Sequence, residues 1–310
     1  MEKRQLGQSD LWVSIAGLGC NNFGWFVDKT NSLAVLNAAY DGGINFFDTA
    51  NNYGMPAGES ERLIGEGFKG RRDKVIIATK VGDQVGADPA DRGAAGHYIR
   101  QSIEQSLRNL QSDYVDLYQL HYPDADTPID ETLRTFDDLI KEGKVRYIGC
   151  ANHSADEVAK SGHVAQKAGI STFVSCQVEY SLIAREAEQD LVPLLAREAM
   201  GLLPYFPLAN GLLTGKYRGG RGEAGRLQTI ETIPFFEQFL TEERFAKVER
   251  IAQIASETEY SMVDLALGWL AARNCVASII AGATKPEQVT ANIVACNIKL
   301  PEELLRKLSV

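Results

Sequence analysis

Short, nearly continuous apolar runs recur along the chain, each followed by a longer amphipathic stretch. Val75-Ile-Ile-Ala-Thr-Lys80 is the clearest, apolar and β-branched with a charge at its end. Similar runs are Ile15–Cys20, Ile44–Asp48, Val115–His121, Val145–Cys150, Phe173–Glu179, Leu202–Phe206 and Val276–Ala281. Runs without polar alternation predict strands buried on both faces, as in a parallel sheet. The stretches between them read as helices. Ser154-Ala-Asp-Glu157, Ser261-Met-Val-Asp264 and Thr284-Lys-Pro-Glu287 each fit a capping box where a helix should open. Thr127-Pro128 opens another, with Pro128 expected at the first helical position, where its missing N–H costs nothing. Leu133, Phe136, Leu139 and Ile140 then share one face before Glu142-Gly143 ends it.

Eight strands alternating with about as many helices predict an α/β fold, a (β/α)8 TIM barrel, in a chain of 310 residues. The rival is a doubly wound open sheet with a second domain. No composition shift or linker divides the chain, so the expectation is a single barrel domain spanning 1–310. Arg4–Leu6 and Leu11–Val13 around Gly7-Gln8-Ser9-Asp10 predict an N-terminal β-hairpin ahead of the first barrel strand. Two polar segments, Gly82–Gly96 and Leu208–Leu240, are too long for simple connections and are expected as long loops at the C-terminal face.

Composition narrows the function classes. Lys plus Arg is 32 and Asp plus Glu is 41, a net charge of −9, which argues against nucleic-acid and anionic-membrane partners. No apolar run approaches the roughly 18 residues of a membrane span. The start, Met-Glu-Lys-Arg-Gln-Leu-Gly, carries no apolar stretch after its charges, so no signal peptide is expected. Cys20, Cys150, Cys176, Cys275 and Cys296 are odd in number and contain no CxxC, which reads as reduced thiols in a cytoplasmic protein. The histidines show no ligand spacing, so no metal site is expected.

Some motifs mislead. Gly220-Arg-Gly-Glu-Ala-Gly225 matches G-x-G-x-x-G but follows no strand and opens no amphipathic run. Gly211-Leu-Leu-Thr-Gly-Lys216 is one residue short of a phosphate loop and lacks its hydroxyl residue.

The ends of the strands carry the chemistry. Asp48 ends the second barrel strand and Tyr53 follows closely; Lys80 ends the third and His121 the fourth. In a barrel these ends converge on one pocket. A lysine ending an apolar strand is buried and needs a partner, for which Asp48 on the adjacent strand is placed. For any one of these residues a structural role suffices; four on three consecutive strands point to catalysis.

These residues resemble the catalytic tetrad of the aldo-keto reductase superfamily, and the likeness covers nearly the whole chain. Gly42-Gly-Ile-Asn-Phe-Phe-Asp-Thr-Ala-Asn-Asn-Tyr-Gly54 is similar to that family's first signature, and Glu142-Gly-Lys-Val-Arg-Tyr-Ile-Gly-Cys-Ala-Asn152 to its middle one. Pro207–Lys216 and Gly282–Gln288 resemble two cofactor segments. The segments look most like the bacterial members and the relatives of the potassium-channel β subunits. The resemblance implies hydride transfer between NADP(H) and a carbonyl or alcohol substrate. Tyr53 would be the proton donor, made a better acid by the charge of Lys80, which Asp48 holds. His121 would orient the carbonyl oxygen.

The same resemblance assigns the cofactor. Asn152 and Gln177 would hold the nicotinamide carboxamide, with Ala151 where the family usually has serine, and Tyr205 would stack on the ring. Asp48 belongs to this group as well as to the tetrad. Pro207, Leu208, Ala209 and Asn210 would pass the pyrophosphate, with Lys216 and Arg226 closing over it on a glycine-rich gate. Cys20 and Asn21 would approach the cofactor after the first strand. The helix opening at Thr284 would present Gly282, Thr284, Lys285 and Gln288 to a ribose 2′-phosphate, favouring NADPH. Asn292 would meet adenine, with Ala291 in place of the family's glutamate. Trp25, Phe26, Tyr122, Phe235 and Phe236 would rim the substrate pocket. Two other readings stay open: an NADP(H)-binding regulatory subunit with little turnover, and a Schiff-base aldolase using Lys80. The natural substrate, the preferred direction and the oligomeric state are not legible.

Overall fold

Each of the eight apolar runs forms a strand. The computed structural model describes residues 1–88, 90–216, 233 and 237–309. A hairpin of β1 (Lys3–Gln5) and β2 (Trp12–Ser14) comes first, paired antiparallel with Arg4 opposite Val13, as the sequence predicts. The barrel strands are β3 (Ala16–Gly19), β4 (Phe46–Asp48), β5 (Ile76–Val81), β6 (Val115–Leu120), β7 (Val145–Ala151), β8 (Ser175–Glu179), β9 (Gly201–Tyr205) and β10 (Ile279–Gly282). They are all parallel and close in the order β10-β3-β4-β5-β6-β7-β8-β9. This is a (β/α)8 barrel rather than an open doubly wound sheet.

Strand parity sorts the side chains. Phe47, Ile77, Tyr118, Ile148, Leu202 and Ile279 pack outward in the shell shared with the helices. Phe46, Ala78, Leu117, Leu203 and Ile280 form a second cluster inside the barrel, joined by Leu6, Leu11 and Val13 of the hairpin. Each fully buried side chain of this kind contributes roughly 1.5–3 kcal/mol. The hairpin closes the N-terminal end and is tied there by Arg4, whose guanidinium donates to Val276 O at 2.8 Å and Ala271 O at 2.6 Å. The next inward positions above this apolar plug, at the opposite end, are polar.

The helices follow the expected pattern with two corrections. Ser154 and Ser261 form their capping boxes with Glu157 and Asp264. No box forms at Thr284–Glu287: the helix is Pro286–Asn297, with Lys285 at its N-cap. Proline locks φ and lacks an N–H, so Pro286 takes the first helical turn and Thr284 falls outside it. Its N–H and hydroxyl turn instead to Gln288 Oε1, at 2.7 and 3.1 Å. Pro128 is likewise the N-cap of Ile129–Lys141 rather than its first residue.

The first long segment follows its strand as the sequence puts it. Residues 82–95 link β5 to the helix Gly96–Leu110. After β9 a short 3-10 segment, Ala209–Thr214, precedes the glycine-rich stretch. That stretch, with the G-x-G-x-x-G match, Arg226, Phe235 and Phe236, lies outside the described residues, and so does the expected gate. The chain continues into the helix Glu242–Ser256. No described helix is long and apolar enough to cross a membrane.

Candidate active site

Four candidate residues meet at the C-terminal end of the barrel. Asp48 and Lys80 face inward from β4 and β5, and Lys80 Nζ lies 2.6 Å from Asp48 Oδ2. Both side chains are almost wholly buried. The ammonium also donates to Thr49 O at 2.9 Å and Tyr53 Oη at 3.5 Å. An ammonium has three donors, so each has an acceptor. His121 follows β6, and its ring lies 5.9 Å from that of Tyr53.

The loop carrying Tyr53 is held by the helix that follows. Gly58 N and Ser60 N both donate to Tyr53 O, at 3.1 and 3.2 Å. Gly54 adopts φ +94°, and a Cβ there would stand 2.9 Å from Ser60 N, so the turn needs glycine. Ser60 Oγ ties this turn to Thr49 Oγ1 at 2.9 Å and donates to Cys20 O at 2.8 Å.

Two glutamines complete the polar layer. Gln119 and Gln177 donate to Asp48 Oδ1 at 3.1 and 2.9 Å. Gln177 was expected at the nicotinamide; its amide N–H is turned to Asp48. Gln119 was missed. Its signal is parity: it lies two residues before His121 and shares its inward face.

The electrostatics differ from the sequence expectation in one respect. Burial, then the charge of Asp48, hold the Tyr53 phenol well above its usual range. The expected lowering by Lys80 does not prevail, because burial of the phenol and the carboxylate of Asp48 both push the other way. His121 is held well below its ordinary value by burial foremost and by Lys80. It is therefore neutral near pH 7 and carries one N–H, and its buried Nδ1 has no partner among the described residues.

This has a consequence for stability. The unfolded chain protonates His121 near pH 6.5, whereas the folded chain keeps it neutral. Between those values unfolding takes up a proton, so stability falls as pH drops below about 6.5, by at most ~1.4 kcal/mol per pH unit for one group. Buried His153, also held low chiefly by burial, adds a contribution of the same sign. Urea midpoints at pH 5.5 and 7.5 should show the drop, and His121→Asn should shrink it. An equal drop in the variant would count against the assignment to His121.

The remaining candidates divide by position. Asn152, at φ +60°, donates from Nδ2 to His121 O at 2.9 Å and accepts from Tyr205 Oη at 2.8 Å. It therefore joins β7 and β9 to the tetrad. Past β9 the backbone is strained: Phe206, Ala209 and Asn210 all have φ near +50°, a cost usually met at functional sites. Pro207 and Ala209 are buried, Leu208 is partly buried and Lys216 is exposed. Gly282 ends β10 beside the side chain of Asn22. Lys285 is exposed, and Gln288 and Asn292 lie one helical turn apart on the same face.

Cys20 directly follows β3. Parity turns its side chain into the outer shell, where Sγ meets Leu18 O at 3.6 Å; its N–H donates to Asp48 O at 2.8 Å. It offers no free group to a ligand. Asn21 is partly exposed beside it. Asn22, absent from the expectation, is fully buried, and neither its side-chain polar atoms nor those of Asn210 have a partner among the described residues. Buried amides left without hydrogen bonds are costly. Two of them, on the loops after β3 and β9, fit a site that takes a polar ligand.

The expected substrate residues flank the tetrad. Tyr122 stacks on His121, with ring centres 5.0 Å apart. Trp25 and Phe26 pack together at 4.1 Å, and Phe26 also packs against Phe239, whose ring lies 5.5 Å from that of Phe206. Trp25 and Tyr122 are exposed, as is Met55 at 72%.

Comparison with known proteins adds the following. Residues 16–309 match the model of the Aldo/keto reductase family. An uncharacterized oxidoreductase of Bacillus subtilis is 35% identical over 322 residues, covering 100% of this chain and 95% of that protein. A probable voltage-gated potassium channel subunit beta of Oryza sativa subsp. japonica is 34% identical, over 96% of this chain and 92% of its own. The L-glyceraldehyde 3-phosphate reductase of Escherichia coli O157:H7 is 32% identical, over 96% and 88%.

Proposed function

The chain belongs to the aldo/keto reductase family, and from that premise we propose that it is a cytoplasmic, NADP(H)-dependent oxidoreductase that reduces aldehydes or ketones to alcohols. The observation that carries this reading is the buried Asp48–Lys80 pair with Tyr53 Oη at 3.5 Å from the ammonium and His121 beside it. When bound, the nicotinamide supplies the hydride. Tyr53 donates the proton to the carbonyl oxygen, and its raised pKa keeps it protonated until then. Lys80, fixed by Asp48, which Gln119 and Gln177 hold in turn, stabilises the phenolate that remains. Neutral His121 donates its N–H to the same oxygen, orienting the carbonyl and stabilising charge as it develops.

The cofactor residues stay as proposals. Asn152, Gln177 and Tyr205 serve the nicotinamide end. Pro207–Asn210, Asn21, Lys216 and Arg226 serve the pyrophosphate, and Asn22 is added to this group. Gly282, Thr284, Lys285 and Gln288 serve the 2′-phosphate, and Asn292 the adenine. The unpartnered amides of Asn22 and Asn210 fit this assignment.

Lys285→Ala should weaken NADPH binding far more than NADH binding. A charge-assisted hydrogen bond is worth roughly 1.5–3 kcal/mol, which corresponds to about ten- to hundredfold in Kd. Fluorescence titration of both cofactors checks this; equal losses would remove Lys285 from the 2′-phosphate.

Engagement of all three Lys80 donors supports reduction over a Schiff-base aldolase, which needs a free amine there. NADPH oxidation over a panel of aldehydes, ketones and sugars tests the proposal. Saturable turnover supports it. Tight NADPH binding without aldehyde-dependent turnover would instead favour a regulatory subunit.

A further inference from the structure

The mouth of the barrel is electrically lopsided. Residues 82–95 and 121–128, on the side of Tyr53 and His121, carry Asp83, Asp88, Asp91, Asp124 and Asp126 against the single cation Arg92. The segments after β9 and β10 bring Lys216 and Lys285. Within the acidic half, Asp83 stands nearest the chemistry. It lies three residues beyond Lys80, and its carboxylate is held in a fixed pose. Asn52, the neighbour of Tyr53, donates to Oδ2 at 2.8 Å, and Gln84 N donates to Oδ1 at 2.8 Å. Among the described residues no cation pairs with it. Its charge reaches Tyr122, whose phenol is raised by burial first and by Asp83 next, and it adds to the rise at Tyr53 and Tyr98.

We infer that Asp83 sets the charge of the substrate: it turns away carbonyl compounds that carry a carboxylate or phosphate and admits neutral or cationic ones, preferably with hydrogen-bond donors. The inference rests on the proposed carbonyl chemistry at Tyr53. An anionic group entering beside Tyr53 and Tyr122 meets an uncompensated carboxylate held by two hydrogen bonds, which cannot swing away without breaking them. Two like charges roughly 7 Å apart, at an effective dielectric constant of about 40, repel enough for a penalty of about three- to tenfold.

The test is Asp83→Asn, which removes the charge and leaves an oxygen to accept one of the two hydrogen bonds. kcat/KM is measured with NADPH for 4-carboxybenzaldehyde and 4-nitrobenzaldehyde, at low salt and in 0.5 M NaCl. The carboxy-to-nitro ratio should rise about three- to tenfold in the variant at low salt, and the gain should shrink in high salt. An unchanged ratio would overturn the inference, whatever happens to the two rates in parallel. Calorimetric binding of 4-carbamoylbenzoate and terephthalamide, with NADP+ present, keeps the two readings apart. If wild-type protein reduces neither aldehyde, the reductase reading fails, and the binding ratio alone decides for Asp83. A gain for the anion in the variant supports it; the same ratio in both proteins sinks it.

Discussion

Replacing Tyr53 by phenylalanine should lower kcat for carbonyl reduction by about 10²- to 10⁴-fold, the usual contribution of a positioned general acid. The ring stays, and with it the edge contact to His121 and the loop turn held by Gly58 and Ser60. Only the hydroxyl goes, and its single partner among the described residues is Lys80 at 3.5 Å. The fold and NADPH binding should therefore change little while turnover collapses. Steady-state rates and NADPH titration of the same preparation check this. A variant keeping more than about a tenth of the wild-type kcat, well inside that range, would show that Tyr53 is not the acid.

The second large effect is on stability. Lys80→Met keeps the length of the side chain and removes its charge, leaving the Asp48 carboxylate buried with the two glutamine amides as its donors among the described residues. Breaking a buried pair by removing one partner costs roughly 3–5 kcal/mol, because the other charge is left uncompensated. At about 2–4 °C per kcal/mol for a large domain, Tm should fall by roughly 6–20 °C. A double substitution, Asp48→Leu with Lys80→Met, should recover much of that loss, since well-packed apolar replacement of a buried pair is often neutral. Activity should stay lost in both. A single variant as stable as wild type would mean that water reaches Asp48 and solvates it.

The sequence was legible where burial leaves a pattern. Strands such as Ile76–Val81 and Val115–Leu120 are covered on both faces, so apolar runs mark them directly. Asp48, Lys80 and His121 stand out because charge or imidazole at the end of such a run contradicts its surroundings. Gln119 carries no such contrast, although it bonds the same carboxylate. The direction of the Tyr53 shift was misread because it is set first by how completely the phenol is buried, which no spacing in the chain encodes. The Pro286 helix start was missed because Thr284 to Glu287 reads as a capping box while proline sets the real boundary. The role of Asp83 depends on the hydrogen bond from Asn52, which joins two loops far apart in the chain.

The central claim is that this mouth moves a hydride to a carbonyl carbon while Tyr53 protonates the oxygen. NADPH deuterated at nicotinamide C4, incubated with a neutral aldehyde such as 4-nitrobenzaldehyde and the wild-type protein, tests it most directly by mass spectrometry of the product. The account predicts an alcohol bearing one deuterium on the former carbonyl carbon when one of the two C4 positions is labelled, none when the other is, and almost no alcohol with Tyr53→Phe. Alcohol without deuterium from either labelled cofactor, or no alcohol at all across neutral aldehydes and ketones, would contradict it.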